Sequence, residues 1–156
     1  MKVFVECFPD TALLRYLGVP KKQLFHESCK GEVVKRVLKS DSAIGLIDED
    51  PTSAQPRDLS NYKQIQAADG LQLLVRNNND NKKFIFICPR LEEWFIERAK
   101  LSGLKLDNYN LPNNPDRLHS IPRYDKKSGF QRFIAELKEK DKGMKLLHRW
   151  IFENVT

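Results

Sequence analysis

The sequence holds three cysteines in 156 residues, Cys7, Cys29 and Cys88. Their odd number and wide spacing give no CxxC pair, which argues against a zinc site or a disulfide framework and for reduced thiols. No run of 18 apolar residues occurs, so no membrane-spanning helix is expected. Residues 1–8 lack the long apolar stretch of a secretory signal. These absences predict a soluble, cytoplasmic chain with no membrane contact. The three histidines, His26, His119 and His148, show no ligand spacing, and no internal repeat is visible. What is present fits one domain: 40% hydrophobic residues, enough for a core, and a formal net charge of +6. That balance favours polyanionic partners.

One stretch organises the rest. Ala43-Ile44-Gly45-Leu46-Ile47 carries no charge and stops abruptly at Asp48-Glu49-Asp50-Pro51. Such a run fits a strand buried on both faces, as in a parallel sheet. Pro51 cannot donate to a ladder and steers Asp50 away from helix, so the strand ends here. On an extended backbone Asp48 and Asp50 point to the same side. Two carboxylates aimed together repel unless a cation sits between them. Mg²⁺ and similar hard cations bind oxygen ligands in this way, often together with substrate phosphates. A polar strand end before a turn is the plainer reading of an isolated DxD.

The surrounding pattern adds context. Lys2 to Cys7 reads as a strand. Pro9-Asp10 opens a helix with Leu13, Leu14 and Leu17 as its stripe, closed by Gly18. Gln23 to His26 reads as a second strand, 27–31 as a loop, and about 32–39 as a second helix. Strand, helix, strand, helix, strand argues for a parallel sheet. Ligands of such sheets bind at the carboxyl ends of the strands. That rule gathers Glu6, Asp48 and Asp50 on one edge. Lys30-Gly31 lies on that edge before a helix N-terminus, where free N–H groups can hold a phosphate.

Residues 51–69 read as a polar loop leaving the same edge. Residues 71–75 and 83–88 read as further strands, with Asn77 to Asn81 as a hairpin turn. Pro89 starts a helix over 90–99, with Leu91, Phe95 and Ala99 on one face. Glu92 adds a fourth acid to the edge, although Glu92 and Glu93 also suit the helix dipole. After a connector over 101–113, Asn114-Pro115-Asp116 reads as a helix start. Residues 129–140 and 143–154 read as two further helices. From Lys105 onward there are 11 basic and 7 acidic residues, either a solvated face or a phosphate-binding surface. The expected fold is a Rossmann-like, mostly parallel α/β sheet flanked by helices over 1–104. A helical C-terminal extension over 105–156 packs on the same domain.

The order Val5-Glu6 with Asp10, then Lys30-Gly31 before a helix, then Leu46-Ile47-Asp48-Glu49-Asp50-Pro51, resembles the Toprim domain. That is the metal-binding module of topoisomerases, bacterial primases, OLD-type nucleases and several small stand-alone proteins. Leu91-Glu92-Glu93-Trp94-Phe95-Ile96 looks like the acidic helix after the sheet in the OLD-type and stand-alone branches. The resemblance covers about residues 2–52 and 83–99. It implies Glu6 as general acid/base and Asp48 and Asp50 as ligands of Mg²⁺ (or Mn²⁺). Glu92 would be a further acid of the metal site, and Asp10 matches an acid often found after the first motif. The family usually has Gly where this chain has Cys7. The implied activity is metal-dependent phosphodiester cleavage in nucleic acid, with basic C-terminal side chains on the backbone. The chain has no counterpart of the ATPase domain of the OLD proteins, so a protein partner or a homodimer is a further expectation. Two alternatives remain beside it. One is a catalytically inactive Toprim-like binding or regulatory module. The other is a phosphatase, because Ile44 to Thr52 fits hhhhDxDxT with Asp48 as nucleophile, although no GDxxxD motif follows.

Overall fold

Strand side chains alternate between two faces, and in the central strands of this chain both faces are apolar. In the computed structural model, which describes residues 1–76 and 79–153, six strands form one mixed sheet. They are β1 (Lys2–Val5), β2 (Leu24–His26), β3 (Ala43–Asp48), β4 (Tyr62–Ala68), β5 (Leu71–Arg76) and β6 (Asn79–Ile87). Their spatial order is β2-β1-β3-β6-β5-β4. β1 runs parallel to β2 and β3, and β3 runs parallel to β6. β4, β5 and β6 form an antiparallel meander. The helices are α1 (Phe8–Tyr16), α2 (Lys30–Leu38), α3 (Leu91–Leu101), α4 (Pro115–Ser120), α5 (Ser128–Lys140) and α6 (Lys142–Phe152). The chain is thus an α/β protein with a mostly parallel sheet flanked by helices, as the alternating pattern predicts.

Val3, Val5, Ile44, Leu46, Ile85 and Ile87 pack on one side of the sheet with α1, α3, α5 and α6. Phe4, Ala43, Ile47, Phe84 and Phe86 pack on the other side with Val33, Val34 and Val37 of α2. This is the period-2 separation of a doubly covered sheet. Phe95 of α3 meets Phe130 and Phe133 of α5 edge-on, with ring centroids 5.6 and 6.0 Å apart. All three rings are fully buried, each worth about 1.5–3 kcal/mol. The last third of the chain therefore shares a core with the first two thirds. No described helix is long and apolar enough to cross a membrane.

Several boundaries differ from expectation. The polar loop over 51–69 ends early: Arg57–Asn61 is a 3-10 helix, and β4 follows as the sheet edge. β4 escapes detection because most of Lys63 to Ala68 is solvated on both sides, so Tyr-Lys-Gln-Ile-Gln-Ala-Ala lacks apolar alternation. The usable signal is Asp69-Gly70, whose φ values of 52° and 75° fit a tight hairpin turn. A second difference is at α2, which starts at Lys30, so Lys30-Gly31 forms its first turn and not a loop before it. The last is at the C-terminus, where α6 spans Lys142–Phe152; residue 154 of the expected helix lies outside the described residues. Asn77 and Asn78 of the expected hairpin turn also lie outside them; Asn79 to Asn81 are not part of a turn but open β6, which starts at Asn79 and not at 83, with Arg76 paired to Asn79.

Candidate functional site

Three chain segments converge where the parallel strands end. β1 stops at Val5, so Glu6 leaves the sheet edge, and Cys7 caps α1. The Cys7 amide donates to Asp10 Oδ2 at 3.3 Å, the reach-back of a capping box. Cys7 has φ −143° and ψ 167°, extended backbone open to any residue. Cysteine at this position therefore carries no backbone strain. Asp48 closes β3. Its amide donates to Glu6 Oε2 at 2.9 Å, and its Oδ1 accepts from the Leu91 amide at 3.1 Å in the first turn of α3. The next residue, Glu92, is buried and hydrogen-bonded to His119 Nδ1 from α4.

The structure thus brings together Glu6, Asp10, Asp48 and Glu92. Burial pushes the Asp48 carboxyl up to about 9, and Asp10, Glu6 and Glu92 push the same way; the Leu91 amide pulls down and loses. Burial also drives Asp10 up to about 7, against its hydrogen bond from Cys7 and with Glu6 and Glu92 adding to the rise. Glu6 is raised as well, chiefly by burial, with the Asp48 amide and Lys30 opposing. Asp10 is 1% exposed, and its Oδ1 has no partner. A buried carboxylate without partners is costly. The donors are hard oxygens, the set that Mg²⁺ and Mn²⁺ take. Buried like charges and an orphaned Oδ1 are what a divalent cation would relieve, so the residues fit such a group. Among the described residues no three Asp, Glu, His or Cys side chains form a ready-made metal shell. Mg²⁺ usually keeps waters and substrate oxygens in its shell, so a closed protein cage is not required.

Asp50 departs from the expected geometry. The extended strand stops at Asp48, and Asp50 has φ 39°. Its amide bonds to the Pro89 carbonyl at 2.8 Å, and its Oδ1 accepts from the Thr52 hydroxyl at 2.9 Å. It therefore does not stand beside Asp48 on one extended strand, although its charge still raises Glu6. Lys30 Nζ donates to the Glu49 carbonyl at 2.9 Å, tying α2 to the end of β3. Gly31 lies within the first turn of α2, where an added Cβ would meet only Cys29 Sγ at 3.9 Å.

Sequence reasoning left the residues that face this edge unassigned. A cavity of about 240 Å³ opens over Glu6 and Glu92, walled by Phe8, His119, Arg123 and Tyr124. His119, Arg123 and Tyr124 reach it through the packing of the last third of the chain. No local spacing announces that placement, since His119 and Glu92 are 27 residues apart. Comparisons with protein-family models, curated proteins and solved structures give no match for this chain.

Proposed function

We propose that this chain is a Mg²⁺- or Mn²⁺-dependent phosphodiester-cleaving protein that acts on nucleic acid. The observation that carries this reading is the cluster of buried Asp10 and Glu92 with half-buried Glu6 and Asp48, with Asp10 Oδ1 unpaired. Asp48 and Glu92 would hold the cation, with Asp50 as a ligand at the outer rim. When bound, such an ion stabilises charge on a phosphoryl oxygen and lowers the pKa of a water. Glu6 is half-buried at the cavity and held by the Asp48 amide. Its raised pKa suits a group that moves a proton at the attacking or leaving oxygen. Asp10 keeps α1 in place through Oδ2 and leaves Oδ1 unpaired. Basic side chains after Lys105 would hold the backbone, so binding should fall steeply with salt. The Toprim resemblance of residues 2–52 and 83–99 points the same way.

The test is a Mn²⁺ titration of wild type, Asp48→Asn and Asp50→Asn, followed by a nuclease assay of Glu6→Gln. Saturable binding in wild type that Asp48→Asn abolishes is expected. Asp50→Asn should weaken it less, because Asp50 stands off the strand. Glu6→Gln should retain the metal and lose cleavage by 100-fold or more, the scale of general acid–base catalysis, roughly 10²–10⁴. Absence of metal binding in wild type at millimolar concentration would refute the reading. The second reading, an inactive binding module, is favoured by the lack of a preformed shell among the described residues. It predicts nucleic-acid binding that survives Glu6→Gln with no cleavage in either protein.

A further inference from the structure

The cavity above the acids has walls of opposite character to its floor. Arg123 is fixed on two sides. Its Nε and Nη2 fork onto the Asp125 carboxylate at 3.0 and 2.9 Å. Its guanidinium lies 3.8 Å from the centroid of the Phe8 ring. Phe8 is itself stacked on His26, with centroids 4.3 Å apart. Asp125 is buried, so the fork is anchored from within the fold. Arg123 is also held at φ 49° and ψ 48°, a left-handed conformation that an arginine rarely adopts. Among the described residues Arg123 Nη1 has no partner.

Tyr124 supplies the second donor. The residue is 3% exposed and lines the same cavity. Its hydroxyl has no hydrogen-bond partner. Burial, then the charges of Glu92, Cys7, Asp10 and Asp48, push its ionisation well above the ordinary range, so it remains an O–H donor. A buried donor left unpaired is costly and calls for an acceptor. The floor offers only carboxylates that need a cation, and no hydrogen bond joins them to Tyr124. A phosphate ester answers both needs, because its oxygens accept from the wall and share a cation with the floor. Arg forks and phosphate oxygens are matched in geometry. At about 240 Å³ the space is smaller than pockets enclosing whole drug-sized ligands, roughly 300–1,000 Å³. It suits one phosphate with its sugar and not a duplex.

We propose that Arg123 Nη1 and Tyr124 Oη hold a phosphate of the substrate in this cavity, and that the substrate enters as a single unpaired nucleotide unit, at a chain end or in a single strand. This builds on the proposed function for the role of the acids, but its donors are separate residues. The experiment is calorimetric titration with thymidine 5′-monophosphate, with and without Mn²⁺, on wild type, Tyr124→Phe and Arg123→Gln. Tyr124→Phe removes a hydroxyl that bonds to nothing in the free protein, so the fold loses no hydrogen bond. Thermal melts check both variants. The expected result is nucleotide affinity reduced about threefold or more in Tyr124→Phe and about tenfold or more in Arg123→Gln, with Mn²⁺ affinity within about twofold of wild type. Inorganic phosphate should bind more weakly than the nucleotide. Unpaired oligothymidylate should displace the nucleotide better than the same strand in a duplex.

The inference is overturned by unchanged nucleotide affinity in Tyr124→Phe, by absence of saturable binding to wild type, or by equal displacement by the duplex. Failure of Mn²⁺ binding with the nucleotide losses intact would refute the metal reading and leave this one standing. Normal Mn²⁺ binding with no nucleotide loss would do the reverse.

Discussion

Two groups of buried acids in this molecule are treated in opposite ways. Near the C-terminal end of α3, Asp141 is 2% exposed and comes with its own cation. Arg98, equally buried, reaches Asp141 at 3.0 Å and Asp69 at 3.6 Å. Asp141 also accepts from the Ser102 hydroxyl at 3.2 Å and caps α6 through the Met144 amide at 2.9 Å. At the strand ends Asp10 and Glu92 are buried and Glu6 and Asp48 half-buried, and Glu6, Asp10 and Asp48 are bonded to backbone amides; among the described residues none of these three forms an ion pair with an Arg or Lys. The same chain, then, can build an internal cation where structure requires one. Its omission at the strand ends marks a place where the fold tolerates strain that something from outside can relieve.

The comparison breaks hardest at Arg98. Arg98→Met leaves Asp141 without its cation in a dry site, while the half-buried Asp69 keeps Lys142 at 3.3 Å; removing one partner of a buried pair costs about 3–5 kcal/mol. Urea unfolding should show that loss. Arg98→Met combined with Asp141→Leu should recover most of it. A residual deficit of about 1 kcal/mol should remain, because the double variant also lacks the α6 cap. If Arg98→Met is nearly neutral, the site is not a structural ion pair and the contrast with the strand ends disappears.

The strand-end acids make the opposite prediction with pH. Asp10 and Asp48 ionise less readily in the fold than in the unfolded chain, at about 7 and about 9 against ordinary values near 4. Their contribution to stability is therefore full below about pH 4. It is lost as pH rises through about 7 for Asp10 and then about 9 for Asp48. In EDTA, melting temperature should fall from pH 5 to pH 9. Asp10→Asn, which cannot ionise, should flatten the first part of that fall and melt higher than wild type at pH 8. Mn²⁺ should raise the melting temperature of wild type more at pH 8 than at pH 5, since ligands must be deprotonated to bind. A wild-type melting temperature flat in pH in EDTA would show that these acids carry no such strain.

The legibility of the two regions differs for a physical reason. Val5-Glu6, Asp48 and Glu92 could be read because each sits where a regular element ends, and periodicity locates element ends. The edge to which the parallel strands point follows from chain order alone. Asp50 misled because the same-side rule holds only while the backbone stays extended, and its φ is 39°. β4 was hidden because an edge strand with two wet faces needs no apolar alternation. Arg123 and Tyr124 were out of reach altogether. They arrive at Glu6 through helix packing, over more than a hundred residues of chain, and no spacing rule spans that distance.

The smallest effect sharpens the question of where phosphate sits. Gly31 is a candidate because, with Lys30, it precedes a helix N-terminus in the sequence pattern, where free N–H groups can hold a phosphate. In the fold it lies in the first turn of α2 without positive φ, and a Cβ would meet only Cys29 Sγ at 3.9 Å. Alanine is the better helix former, by at most about 1 kcal/mol in a helix interior and less near an end. Gly31→Ala should therefore leave urea stability equal to wild type or about 0.5 kcal/mol higher. Binding of thymidine 5′-monophosphate should not change, because the Arg123 and Tyr124 donors are untouched. A several-fold loss of nucleotide affinity in Gly31→Ala, with stability preserved, would move the phosphate to the α2 terminus. Lys30 and not Arg123 would then be its nearest cation, because Lys30 opens the same turn.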